Sequence, residues 1–69
     1  MKEEYIREFN QNIIGILRTE DNGDQVAIDF PSRRILGYYR KKYDHTTDFL
    51  GKIISQGNTV ISFIYNKNR

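Results

Sequence analysis

Apolar positions along most of this chain come in short runs or alternate with polar ones, and turn-forming residues separate them. Ile13-Ile14-Gly15-Ile16-Leu17-Arg18-Thr19 and Gln25-Val26-Ala27-Ile28 flank Glu20-Asp21-Asn22-Gly23-Asp24. Asn-Gly readily takes the two positive φ angles of a type I′ turn, so the spacing predicts a β-hairpin. Counting outward from that turn sets Thr19 against Val26, Leu17 against Ile28 and Gly15 against Phe30 on one face. Ile16 then opposes Asp29 on the other face, and Arg18 opposes Ala27 with its guanidinium diagonal to Asp29.

The same unit recurs. Glu8-Phe9-Asn10-Gln11-Asn12-Ile13-Ile14-Gly15 returns as Asp29-Phe30-Pro31-Ser32-Arg33-Arg34-Ile35-Leu36-Gly37, and again as Asp48-Phe49-Leu50-Gly51-Lys52-Ile53-Ile54-Ser55. A second hairpin with its loop at Lys42, Tyr43 and Asp44 sets Gly37 against Phe49 and Tyr39 against Thr47, with Arg40 diagonal to Asp48. In both units a Phe is expected to cover the bare backbone of a facing glycine. The third copy has Ser55 in place of glycine, and Gly57-Asn58 turns the chain early. Thr59–Tyr65 then reads as a last strand, β-branched and aromatic, with apolar residues on both faces.

The expected fold class is therefore all-β: an antiparallel meander of six or seven short strands built from three β-hairpin repeats. Residues 1–8 are expected to form a short helix or a loose arm. The alternative is α+β with a helix near 47–56, capped by Thr47 and carrying Phe49, Leu50, Ile53 and Ile54. One small domain is expected, divided into an arm (1–11), three hairpins (12–31, 32–50, 51–66) and a tail (67–69).

Sixty-nine residues without a cysteine give a thin core with no disulfide or thiolate metal site to reinforce it, so a homo-oligomer is expected, with a dimer favoured. The apolar runs are short and the start lacks a secretory pattern, which predicts a cytoplasmic chain with no membrane partner. A net charge of +2 suits an acidic partner without demanding one. Heavy use of Ile, Lys, Asn and Tyr suggests a bacterial or phage source.

Residues suited to catalysis are sparse. His45 is the single histidine, no serine has a base nearby, and no glycine-rich phosphate loop is present, so neither an enzyme nor a cofactor is expected. The segment 33–43 is the densest in charge and aromatic rings. It holds Arg33, Arg34, Tyr38, Arg40, Lys41, Lys42 and Tyr43, and five of the eleven cationic side chains. On a strand, Arg34, Tyr38, Arg40 and Lys42 would share a face able to meet phosphates and stack a base. The first hairpin is acidic by contrast, through Glu20, Asp21, Asp24 and Asp29, and such polarity suits docking to another protein or to a second copy.

From Asp29 to Asn58 the chain resembles short bacterial proteins built from repeated D-F-x-G-[RK]-I phrases, through Asp29-Phe30, Arg34-Ile35-Leu36-Gly37 and Asp48-Phe49-Leu50-Gly51-Lys52-Ile53. That resemblance implies a β-repeat architecture and no particular activity. The expected function is a self-associating, non-catalytic protein-interaction module, such as an inhibitor or adaptor acting on a larger protein or ribonucleoprotein. The alternative is a nucleic-acid-binding module using segment 33–43.

Overall fold

A computed structural model describes residues 1–66; the expected tail at 67–69 lies outside the described residues. Six strands form one antiparallel meander in chain order: β1 (Lys2–Arg7), β2 (Ile13–Thr19), β3 (Gln25–Asp29), β4 (Ile35–Arg40), β5 (His45–Asp48) and β6 (Ile53–Gln56). A short helix, α1 (Ser62–Asn66), follows. The all-β expectation holds, and 47–56 is strand, turn and strand rather than helix.

Both ends of the chain depart from expectation. Residues 2–7 are neither helix nor arm but an edge strand paired with β2. The stretch read as a last strand is instead a turn leading into α1. Polar side chains make that entry: Asn58 Oδ1 accepts the Val60 N–H at 3.3 Å, Thr46 Oγ1 accepts the Thr59 N–H at 3.0 Å, and Ser62 Oγ donates to the Thr59 carbonyl at 2.7 Å. These local bonds compete with strand pairing. They leave Val60 and Ile64 together on the side facing the sheet, fully buried.

Both central hairpins pair one residue away from the expected register. Gly15 opposes Asp29, Ile16 opposes Ile28 and Leu17 opposes Ala27; in the next hairpin Gly37 opposes Asp48, Tyr38 opposes Thr47 and Tyr39 opposes Thr46. The cause in the first is turn type. The Glu20 N–H donates to the Asp24 carbonyl at 2.7 Å and the Gly23 N–H to the Glu20 carbonyl at 3.0 Å. Only Gly23 within this loop takes a positive φ, so a three-residue loop with a glycine bulge replaces the two-residue turn. In the second, four residues (41–44) span Arg40 and His45, and Asp44 takes a φ of 50°. The slip is the same in both, so the units still match pair by pair, with an acid rather than a Phe across from each glycine. Arg18 accordingly pairs with Glu20 at 2.9 Å and Arg40 with Asp24 at 3.5 Å, instead of with Asp29 and Asp48.

Each face of the sheet has its own apolar cluster. On one, Ile6, Ile14 and Ala27 pack with Val60 and Ile64, flanked by Leu17, Leu36, Tyr39 and Phe63. A Cβ at Gly15 would lie 2.5 Å from Ile64 Cγ2, and one at Gly37 would lie 2.5 Å from Phe63 Cε2. The glycines are thus covered by the C-terminal segment, not by cross-strand Phe. The opposite cluster is Ile16, Val26 and Ile28 beneath Phe30 and Tyr38, with Tyr5 meeting Phe30 edge to face at 6.3 Å.

Candidate interaction surface at one end of the sheet

The recurring acid–Phe phrase forms the turns that join successive units. At Glu8–Asn12 the Glu8 N–H donates to the Asn12 carbonyl (2.8 Å) and the Gln11 N–H to the Glu8 carbonyl (2.9 Å); Asp48–Lys52 repeats both bonds at 2.9 and 3.0 Å. Gln11 and Gly51 occupy equivalent left-handed positions, with φ of 73° and 91°. The middle copy is one residue longer and puts Arg33 in that conformation at 63°. Asp48 Oδ1 accepts the Leu50 and Lys52 N–H groups, both at 2.9 Å, and the Asp29 carboxylate accepts the Ser32 hydroxyl. The Asp29 and Asp48 carboxylates thus anchor their turns, whereas in the first copy Asn10 Oδ1 accepts the Asn12 N–H at 3.2 Å.

Turns that follow β1, β3 and β5 lie at the same end of a meander, so this end carries Phe9, Phe30 and Phe49. Phe30 folds back onto the open-face cluster. Phe9 is fully exposed, and the β5–β6 hairpin presents Phe49 at 61%, Leu50 at 79%, Ile53 at 60% and Ile54 at 52% exposure. Beside it runs a groove of about 940 Å³, walled by Ile35, Leu36, Phe49 and Phe63, with Arg33 and Arg34 at its rim. Tyr38, Asp48 and Asn66 complete the lining. The expected pairing hid these residues, because it set Phe49 over Gly37 and put Ile53 and Ile54 in a third hairpin, with Phe9 left in the arm; their position just after a recurring turn was the signal available.

The basic segment 33–43 does not form one patch. Arg33 and Arg34 stand at the Phe-bearing end, while Lys41, Lys42 and Tyr43 stand at the other, beyond a six-residue strand about 20 Å long. Between them, Tyr38 carries the Arg40 guanidinium over its ring at 4.9 Å. Lys42 lies over Tyr43 at 5.6 Å, and Tyr43 stacks on His45 at 5.4 Å. The acidic first tip and the basic second tip meet within the molecule, since Asp24 accepts both the Arg40 guanidinium and the Lys41 N–H (2.9 Å). The Tyr39 hydroxyl donates to Asp44 Oδ1 at 2.7 Å, and this bond raises the phenol pKa above its ordinary value, with desolvation and the Asp44 charge adding to it.

Among the described residues no group of three or more His, Asp or Glu side chains could hold a metal ion, and no helix is long and apolar enough to cross a membrane. No protein family, curated protein or solved structure matches the chain.

Proposed function

We propose that this protein is a non-catalytic protein-interaction module that self-associates through its β5–β6 hairpin. The reading rests on one observation: Phe49, Leu50, Ile53 and Ile54 are all more than half exposed within six residues of sequence. Apolar exposure concentrated in one hairpin marks contact surfaces more often than scattered single residues do. A thin core adds a reason, because a second copy would add apolar burial to a chain whose own core is small. The last strand is also an edge, and Ile53–Gln56 carries no charged residue to discourage a neighbour. Sedimentation velocity over a range of concentrations tests this. A dimer is expected, weakened by Leu50→Glu combined with Ile54→Glu; a monomer at every concentration removes the self-association.

A further inference from the structure

We infer that the groove beside this hairpin, which shares Phe49 with it, is a second binding site, which takes a short segment of another protein carrying carboxylates next to apolar side chains. The inference rests on the interaction-module reading and names the partner's chemistry.

Its walls are apolar: Ile35 and Leu36 from β4, Phe49 from the β5–β6 turn, and Phe63 from α1. Gly37 lets Phe63 settle closely against β4 and so sets the position of that wall. A Cβ there would press on Phe63 and on the Thr47 carbonyl. The rim is cationic. Arg33 and Arg34 are both exposed, and neither guanidinium is in an ion pair among the described residues, whereas Arg18 and Arg40 are engaged by Glu20 and Asp24. Asp48 is the one acid on the wall, and its Oδ1 is already turned to the Leu50 and Lys52 amides. Arginine forks suit carboxylates and phosphates alike, so the walls decide between them. Four aliphatic or phenyl side chains accept leucine-like or phenylalanine-like groups, while the ring nearest a stacking platform, Tyr38, already has Arg40 over it. An acidic, apolar peptide therefore matches the groove better than a nucleic acid strand does.

The test uses the full chain below the concentration at which sedimentation detects a dimer. Fluorescence anisotropy would follow a labelled peptide of glutamates interleaved with leucines. In parallel run the same peptide with lysines for glutamates, a single-stranded oligonucleotide, and vesicles of anionic phospholipid. Preference for the glutamate peptide, weakened at least about tenfold by Arg33→Glu with Arg34→Glu and by added salt, is the expected result. A Gly37→Ala chain that remains folded by circular dichroism should lose the peptide as well. Stronger binding of the oligonucleotide or the vesicles, indifference to the lysine exchange, or no binding at all would overturn the assignment. A dimer by sedimentation with no peptide bound would leave the interaction-module reading standing while this site falls.

Discussion

The two faces of the sheet reach dryness by different routes. One is roofed by a separate element: Val60 and Ile64 press on a floor kept low by Gly15, Ala27 and Gly37. The other has no covering element among the described residues, yet Ile16 is as inaccessible as Ile64, both at 0% exposure. There the strands' own rings, Tyr5, Phe30 and Tyr38, lie over the aliphatic row. Small residues therefore belong where backbone must approach backbone, and large ones where a strand must cover itself. A six-stranded sheet can bury both faces with a single five-residue helix because the second face is closed by side chains alone.

The largest effects should come from the centres of the two clusters. Ile64→Ala and Ile16→Ala are each expected to cost about 2–5 kcal/mol, read from urea denaturation, in a domain whose whole stability is on the order of 5 kcal/mol. If Ile16→Ala cost under about 1 kcal/mol, the self-covered face would be solvent-accessible in practice and the equivalence of the faces would fail.

Gly37→Ala should cost about 1–3 kcal/mol by overpacking. The added methyl meets the Thr47 carbonyl at 2.7 Å as well as Phe63, and backbone cannot yield as a side chain can. Gly15→Ala meets only Ile64 side-chain atoms among its nearest neighbours, so a smaller loss there, compared by thermal melting, would sharpen the distinction.

Asp48→Ala should cost about 1 kcal/mol, because two turn N–H groups lose their acceptor, and Asp48→Asn should recover part of it. Equal stability of wild type and Asp48→Ala in urea would show that the recurring acid is not needed for the turn.

The smallest effect is electrostatic. Tyr39 has a raised pKa in the folded chain, so its contribution to stability is fully present below the ordinary phenol range and is lost as pH rises through the raised value. Ultraviolet titration should find a tyrosine ionising above the ordinary phenol range. Asp44→Ala should bring it back toward that range, and no change would separate Tyr39 from Asp44.

Much of the architecture was legible before any coordinates. Turn formers at regular spacing and β-branched runs of four to seven residues predict a meander, and the strand–turn–strand course of 47–56 follows from its likeness to 29–37. Register was not legible. Both faces of β2 and β3 are apolar, so alternation favours neither pairing, and a choice between a two-residue and a three-residue loop shifts every partner by one. The basic segment looked like one site because its residues are adjacent in sequence, but an extended strand carries its two ends to opposite sides of the molecule.

Taken alone, the chain's order of residues determined that it would make short antiparallel strands, where they would turn, and that the acid–Phe phrase would be used three times. Those are local properties, set by backbone preference at glycine and by side chains bonding their own nearby amides. Which residues oppose which, what covers the glycines, and whether 59–66 is strand or helix were decided only in the assembled sheet. Each depends on the space that distant segments leave for one another, as when Ile64 and Phe63 settle over Gly15 and Gly37, and no stretch of sequence carries that information by itself.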